Sequence, residues 1–219
     1  MQGRTVAVIG GTGQQGRGIA QRLAHAGTAV VVGSRDPARA AATVAAWPAA
    51  IARVRSASYR DAIVASDVVI LTVPFGTLDD LLAQHRLDFN RDTLVIDVTV
   101  PITFGGGTAM LEPVADGSAA EHVRARLPDH VRVAAAFKTL PAHVLNDVGR
   151  PLDCDEFVCG DSPESREGAR SIVEMLAALR AVDVGPLSRA RAIEQLTLLA
   201  IAINRRHKVH EARFRVVGL

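Results

Sequence analysis

Three glycines at a fixed spacing are the first residues that point to a particular chemistry. Gly11, Gly13 and Gly16 form the pattern G-x-G-x-x-G, directly after an apolar run at residues 6–9 and before a segment with helical spacing. In that context the glycines permit a tight turn, a close approach of the backbone to a pyrophosphate, and close packing of helix on strand. The helix N-terminus adds free N–H groups and a partial positive charge. The pattern predicts a dinucleotide-binding loop, with a purely structural turn as the weaker alternative.

The end of the second predicted strand indicates which dinucleotide would fit, because it lies beside the adenine ribose. Proteins that bind NAD place an acid there, whereas this chain continues with Ser34 and Arg35, and Arg39 follows one helical turn later. A hydroxyl and two guanidinium groups suit a 2'-phosphate. Asp36 is the competing acid, but it precedes Pro37 and is interpreted as the N-cap of the next helix. We therefore predict NADP(H), the alternative being two solvated surface arginines.

Four segments spread along the chain make it resemble the NADPH:coenzyme F420 oxidoreductases. They are Gly-Gly-Thr-Gly at residues 10–13, Val-Val-Gly-Ser-Arg at 31–35, Val-Cys-Gly-Asp at 158–161, and Gly-Pro-Leu-Ser at 185–188 with Arg191. The resemblance spans nearly the whole length. It implies a Rossmann domain with a smaller C-terminal part that closes a cleft, and hydride exchange between C4 of nicotinamide and C5 of the 5-deazaflavin F420.

The resemblance also assigns cofactor contacts. Besides the three glycines, the residues implied at the pyrophosphate are Thr12, Gln14 and Gln15, and those at the 2'-phosphate are Ser34, Arg35 and Arg39. The residues implied at the nicotinamide side are Val73, Thr77, Val100 and Ala142, and Ala212 takes a further cofactor-contacting position where the chain departs from the family pattern.

Lys138 stands where relatives often have His, before Thr139, Leu140 and Pro141. Lys138 and Thr139 are predicted as polar contacts to the deazaflavin, with the lysine donating to charge that develops on the ring. Two alternatives stay open for the lysine: an acid in a different reductase, if burial lowers its pKa, or a packed stem with a solvated head. Arg191 is a candidate partner for the anionic tail of F420.

Short β-branched runs alternate with Ala-rich helical segments, which is typical of a parallel sheet covered on both faces. The predicted strands are residues 4–9, 28–32, 51–55, 68–72, 94–98, 131–135, 156–158 and 181–184. We predict a Rossmann-type α/β fold, doubly wound and mostly parallel. Residues 1–219 are expected to form one domain, with about 137–219 as the smaller C-terminal part.

Two segments stand out from this alternation. Residues 101–117 include Gly105, Gly106 and Gly107 and show no periodicity, so a long loop of the functional kind is expected. Residues 191–204 carry apolar side chains at helical spacing with few polar positions between them, so the helix is expected to be buried on more than one side. A chain this short is predicted to cover that helix by forming a homodimer.

Composition excludes several kinds of partner. The 25 basic and 23 acidic side chains give a net charge of +2 with no charged run, so nucleic acid is not expected. The longest apolar runs, 68–73 and 196–203, fall short of the ~20 residues that cross a bilayer, and no signal peptide is recognised. A cytoplasmic protein without a membrane partner is expected. Cys154 and Cys159 are predicted to be buried thiols, and no metal site is expected.

Two other functions remain open at this point. The chain could be an NADPH-dependent reductase of another acceptor, such as a ferric chelate, a flavin or a small carbonyl compound, which Lys138 in place of His favours. It could also be a non-catalytic NADP(H) sensor, because Rossmann domains serve that role too.

Overall fold

A computed structural model describes residues 4–48, 51, 53–106 and 108–219 of the chain. Its strands are β1 Thr5–Ile9, β2 Ala29–Ser34, β3 Val54–Ser58, β4 Val68–Leu71, β5 Leu94–Asp97, β6 Ile102–Gly105, β7 Thr108–Leu111, β8 Arg132–Ala135, β9 Cys154–Gly160 and β10 Leu179–Pro186. Its α-helices are α1 Gln14–His25, α2 Pro37–Ala45, α3 Tyr59–Val64, α4 Leu78–His85, α5 Ala119–Arg126, α6 Ala142–Asn146, α7 Pro163–Val173 and α8 Ala190–His207.

Eight strands form one twisted sheet in the order β10-β9-β8-β5-β4-β1-β2-β3. The β8–β9 pair is antiparallel and the other pairs of this sheet are parallel. The chain leaves β1 toward β2 and β3 on one side and later returns to add β4 and β5 on the other. The carboxyl ends of β1 and β4 therefore flank the topological switch point, where doubly wound sheets bind their ligands. The predicted Rossmann-type, mostly parallel fold is confirmed.

Helices cover both faces of the sheet because its strands are apolar on both sides. On one face α1, α6 and α7 pack through the buried residues Ile19, Leu23, Leu145 and Ile172. On the other face α3, α4, α5 and α8 pack through Ile63, Leu82, Val123 and Ile193. Strands β1, β4 and β5 are buried from both sides, which explains why they are apolar apart from Thr5 at the start of β1 and Asp97 at the end of β5.

The C-terminal part adds to this sheet rather than standing apart from it. β9 and β10 extend the sheet beyond β8, and α6 packs against α1. The buried guanidinium of Arg22 in α1 donates to the carbonyl oxygens of Val144, Leu145 and Arg150 at distances of 2.8 to 2.9 Å. Because the carbonyls of Val144 and Leu145 lie in the last turn of a short helix and need partners, Arg22 fixes the position of α6.

Two predictions about the path of the chain are wrong in part. The loop predicted for residues 101–117 contains an antiparallel hairpin, β6–β7, although Gly107 lies outside the described residues. The hairpin is largely exposed on both faces, so it lacks the alternation of apolar and polar residues that identifies a strand. The third strand begins at Val54 rather than residue 51, and Ala52 lies outside the described residues. As a half-buried edge strand, it carries serines where a central strand would be apolar.

Helix α8 is longer and less buried than expected. It runs from Ala190 to His207, and within it Ile193, Glu194 and Ala200 are buried, whereas Leu199 is 49% exposed. The expectation that the helix is buried on more than one side is therefore wrong for the single chain. The described helices include none long and apolar enough to cross a membrane.

Candidate active site

The predicted dinucleotide loop joins β1 to α1 at the switch point. Gly10 has a φ of +83°, which glycine adopts without strain, and its N–H donates to the carbonyl of Gly33 at 3.1 Å. A Cβ on Gly16 would lie 2.4 Å from Oγ1 of Thr72 and 2.8 Å from the carbonyl oxygen of Gly10. Only glycine at position 16 lets α1 start this close to β4. The close helix packing that the pattern assigns to Gly16 is therefore present, whereas the positive φ of the turn lies at Gly10 and not at Gly11.

The N-terminus of α1 can accept an anion. Gly13 precedes the helix, no side chain in the described part of the chain caps it, and its first turn contains no acidic residue. The first N–H groups of a helix have no partner inside it, and they carry its partial positive charge. Gly13 and Gln14 are exposed. This uncapped helix end fits the pyrophosphate that the sequence places beside Thr12, Gln14 and Gln15.

The corner predicted for the 2'-phosphate lies beside the same loop, because Gly33 pairs with Gly10 and leads into Ser34. The Ser34 hydroxyl oxygen accepts from the N–H of Asp36 at 3.1 Å, which leaves its proton for another acceptor. Arg35 and Arg39 are exposed. The Asp36 carboxylate accepts from the N–H of Arg39 at 3.0 Å and caps α2, so the interpretation of Asp36 as an N-cap is confirmed.

The four residues predicted at the nicotinamide side lie on different elements. Val73 is buried against the loop, since a Cβ on Gly10 would approach its Cγ1 to 3.0 Å. Thr77 is exposed and its hydroxyl donates to the carbonyl of Pro74, which forms the turn before α4. Val100 follows the carboxyl end of β5, and Ala142 is the first residue of α6. Both are partly exposed.

Lys138 is enclosed, which corrects two expectations. Its side chain has 0% exposure, and its ammonium lies 2.6 Å from Asp97 Oδ2 and 2.5 Å from the carbonyl oxygen of Thr99. The alternative of a solvated head is therefore wrong. The ammonium also presents no exposed surface through which to donate to a deazaflavin. Thr139 is enclosed too, and its hydroxyl donates to Glu156 Oε2 at 2.8 Å.

The charge of Lys138 is stabilised by its neighbours. Burial by itself would lower the pKa of Lys138, but the carboxylates of Asp97 and Glu194 outweigh burial and raise the pKa above its usual value. The alternative of a lysine acting as an acid through a lowered pKa is therefore wrong. Burial acts in the opposite sense on carboxyl groups, and it raises the pKa of Glu156 to about 7.

Gln15 connects the dinucleotide loop to the segment that contains Lys138. Its amide nitrogen donates to the carbonyl oxygens of Phe137 at 3.1 Å and Leu140 at 3.2 Å. The N–H of Lys138 donates to Glu156 Oε1 at 3.0 Å, and Thr197 donates to the carbonyl of Lys138 at 2.9 Å. Helix α1, strand β9 and helix α8 all hold this short segment in place.

The remaining predicted site residues lie farther along the C-terminal part. Arg191 is partly exposed, and its guanidinium donates to the carbonyl of Glu112 at 3.1 Å and lies 3.4 Å from Glu194 Oε2. The N–H of Ala212 donates to Asn204 Oδ1 at 2.9 Å, which ties the C-terminal segment to α8. Cys154 and Cys159 are free and buried, as predicted.

Three buried carboxylates escaped the sequence analysis: Asp97, Glu156 and Glu194. Each has 0 % exposure. Asp97 ends the apolar strand β5, Glu156 follows Asp155 in β9, and Glu194 follows Ile193 on the buried side of α8. For Asp97 and Glu194, an acid in an apolar strand or helix face was the available signal, because charged side chains are almost never fully buried without a partner.

A mostly parallel sheet with a glycine loop at its switch point, an uncapped helix end and a basic corner after β2 defines a dinucleotide-binding protein of the Rossmann type. The family model described as NADP oxidoreductase, coenzyme F420-dependent, matches residues 5–101. The chain is 40% identical to the F420-dependent NADP reductase of Methanothermobacter thermautotrophicus, over 98% of this chain and 95% of that protein. It is 31% identical to the reductase of the same name from Methanocaldococcus jannaschii, over 98% of both. The chain belongs to the family of coenzyme F420-dependent NADP oxidoreductases, and the predicted resemblance is confirmed.

Solved structures agree with the fold. A protein from Arthrobacter sp. FB24, assigned provisionally as an F420-dependent NADP reductase, has a TM-score of 0.83 at 24% identity and covers 98% of this chain and 100% of its own. A 3-hydroxyisobutyrate dehydrogenase from Mycobacterium tuberculosis has a TM-score of 0.66 at 20% identity, over 93% of this chain and 63% of its own. At these identities the likeness shows the α/β fold alone.

Proposed function

We propose that the chain transfers hydride between NADP(H) and coenzyme F420. The observation that carries this proposal is the match over 98% of the chain to reductases with that name, in a structure that keeps the glycine loop at the switch point. When both cofactors are bound, they supply the chemistry, a hydride exchange between nicotinamide C4 and deazaflavin C5. The protein has to bind them, orient them and exclude water.

The binding groups divide along the sheet edge. Backbone N–H groups at the start of α1, with Thr12, Gln14 and Gln15, would hold the pyrophosphate. Ser34, Arg35 and Arg39 would hold the 2'-phosphate. The nicotinamide would lie against Val73, Thr77, Val100 and Ala142. All of these residues border the carboxyl edge of the strands. This placement supports the proposal that the dinucleotide lies along that edge.

The second cofactor would enter from the C-terminal part. We assign residues from about 137 to 219 to the wall that closes the deazaflavin cleft, with Arg191 as the partner of the anionic tail and Ala212 as a further contact. The partly exposed guanidinium of Arg191 supports its assignment. Lys138 and Thr139 would support this wall without touching the cofactor, since their side chains bond to Asp97 and Glu156 inside the protein.

We also propose that the protein works as a homodimer in the cytoplasm. Helix α8 and the β6–β7 hairpin border an apolar groove of about 570 Å³, which is lined by Thr108, Ala109, Leu198, Ile201, Ala202, Arg205 and Arg206. Phe104 on the hairpin is 76% exposed, and Leu199 on the helix is 49% exposed. A second copy would cover this apolar face.

The proposed activity is tested by mixing the protein with NADPH and oxidised F420 and following the visible absorbance of the deazaflavin. Loss of that absorbance with equal oxidation of NADPH is the expected result. Parallel reactions with a ferric chelate, a free flavin and a small carbonyl compound test the other acceptors. NADPH oxidation with one of these and none with F420 would replace the proposal, and tight NADPH binding without oxidation by any acceptor would indicate a sensor.

A further inference from the structure

Three charged side chains meet inside the protein at the carboxyl edge of the sheet. The side chains of Asp97, Lys138 and Glu194 each have 0% exposure. The Lys138 ammonium is 2.6 Å from Asp97 Oδ2 and 3.6 Å from Glu194 Oε1. Desolvated charges cost several kcal/mol each unless they are paired and hydrogen-bonded. A buried charged cluster with this desolvation cost suggests that it holds neighbouring elements of the fold in a defined position.

The acceptors in this cluster have further partners. Asp97 Oδ1 accepts from both the N–H and the hydroxyl of Thr99, at 3.0 and 2.7 Å. Glu194 Oε1 accepts from the N–H of Ala119, the first residue of α5, at 2.9 Å. Lys138 donates to Asp97 and to the carbonyl of Thr99. The cluster therefore has a defined geometry, which fixes the ends of β5 and α5 and one turn of α8.

The cluster joins elements from both proposed walls of the site, namely the nicotinamide side near Val100 and the deazaflavin side near Arg191. Asp97 and Thr99 lie three residues and one residue before Val100. Glu194 lies on α8 next to Arg191, which is assigned to the deazaflavin side. Lys138 lies between them, in the segment that Gln15 of the dinucleotide loop also holds.

We propose that Lys138 is a positioning residue, which through Asp97 and Glu194 fixes the distance between the loop at Val100 and helix α8. This inference rests on the proposed function, because the two walls are those of the proposed hydride-transfer cleft. The lysine acts without touching either cofactor. Hydride transfer requires the two reacting carbons to lie within about 3.5 Å, and a displacement of about 1 Å can cost on the order of 100-fold in rate.

Removal of the charge would disturb this spacing in a predictable way. Without Lys138, the carboxylate of Asp97 would be left buried without a cation beside Glu194, which keeps its contact with Arg191, and like charges repel strongly at low dielectric. The loop at Thr99 would lose its bond to the ammonium at the same time. The loop at Val100 and helix α8 should then both become more mobile. A defect confined to one of these elements would increase the mobility of that element alone.

The test compares three variants with the wild-type protein. Lys138→Met keeps the length of the side chain and removes the charge. Asp97→Asn combined with Lys138→Met removes one charge of each sign, which restores folding if the single variant unfolds. Lys208→Met is the matched control, because Lys208 is the other lysine of the chain and is exposed. Calorimetry measures NADPH binding, stopped-flow absorbance measures single-turnover hydride transfer to F420, and hydrogen exchange measures backbone opening.

If Lys138 is a positioning residue, its loss should slow hydride transfer and leave the affinity for NADPH nearly unchanged. The double variant should transfer hydride about 10- to 100-fold more slowly than wild type, while its NADPH dissociation constant stays within about threefold, since the phosphate contacts lie elsewhere. The control should match wild type in every measurement. A double variant that transfers hydride at the wild-type rate would overturn the proposal and leave the cluster a purely structural feature.

Hydrogen exchange tests the same link without F420. The amides of Thr99, Val100, Ile102 and residues 190–197 should exchange faster together in both Lys138 variants and keep their wild-type rates in Lys208→Met. Acceleration of only one segment, or of neither, would overturn the link between the walls. If wild-type protein fails to reduce F420, the proposed activity falls, and the exchange result still decides whether Lys138 joins the two segments.

Discussion

The ammonium nitrogen of Lys138 lies 2.6 Å from a carboxylate oxygen of Asp97, and neither side chain has surface exposed to solvent. Breaking a buried ion pair by removing one partner typically costs about 3–5 kcal/mol, because the other charge is left without compensation. Lys138→Met should lower the free energy of unfolding by about that amount, as measured by urea denaturation. Asp97→Asn combined with Lys138→Met should recover part of the loss. If the single variant unfolds at the wild-type urea midpoint, the pair contributes nothing to stability.

The protein should bind NADPH much more tightly than NADH, since the corner formed by Ser34, Arg35 and Arg39 suits a phosphate and Asp36 is engaged in capping α2. Arg35→Asp should weaken NADPH binding by about 10- to 100-fold, the equivalent of one charged hydrogen bond, and reverse the preference. Calorimetric titration of both cofactors measures this. Arg91→Asp is the control, because Arg91 is an exposed arginine just before the amino end of β5, at the opposite edge of the sheet. Equal affinity of wild type for NADPH and NADH would refute the assignment.

Gly16→Ala should abolish NADPH binding and destabilise the fold. The new Cβ would lie 2.4 Å from Thr72 Oγ1 and 2.8 Å from the Gly10 carbonyl, so the loop and α1 would have to separate. Overpacking of this kind typically costs about 1–3 kcal/mol. Gly149→Ala is the matched control, because a Cβ there meets no atom of the described residues within 4 Å. Thermal denaturation with and without NADPH compares them, and a wild-type shift with NADPH in Gly16→Ala would contradict the proposed loop.

Glu156 should make stability depend on pH. Burial raises the pKa of its carboxyl to about 7 from the usual 4.5, so between these values the folded protein holds a proton that the unfolded chain has lost. This contribution is fully present below pH 4.5 and is lost as the pH rises toward 7. Glu156→Gln cannot titrate, so its stability relative to wild type should rise across this window by on the order of 3 kcal/mol. Unfolding curves from pH 4.5 to 8 measure the difference in free energy of unfolding. The same pH dependence of this free energy in both proteins would show that Glu156 does not titrate in this range.

Leu199→Glu should dissociate the proposed homodimer, because it places a charge on the exposed apolar face of α8. Charged groups are depleted from the cores of such interfaces. Light scattering at micromolar concentration should give a dimeric mass for wild type and a monomeric mass for the variant. Leu87→Glu serves as control, since Leu87 is 90% exposed after α4 and belongs neither to α8 nor to the β6–β7 hairpin. A monomeric wild-type protein would refute the dimer itself.

The local sequence was sufficient for the features that depend on neighbouring residues. The spacing of Gly11, Gly13 and Gly16 after an apolar strand predicted the dinucleotide loop, and Asp36 before Pro37 predicted the cap of α2. The central strands were predicted almost to the residue, because strands buried on both faces are continuous apolar runs. The β6–β7 hairpin was missed for the converse reason, since an exposed hairpin carries no such pattern.

The environment of Lys138 was decided by the tertiary structure alone. Its partner Asp97 is 41 residues away in sequence, and Glu194 comes from a third element. Nothing local distinguishes a lysine that reaches solvent from one that is enclosed, because the difference lies in which strands and helices pack around it. The sequence by itself determined the fold class and the dinucleotide loop, through periodicity and glycine spacing. Only the packing of β5, β8 and α8 against one another determined that this lysine is charged, buried and paired.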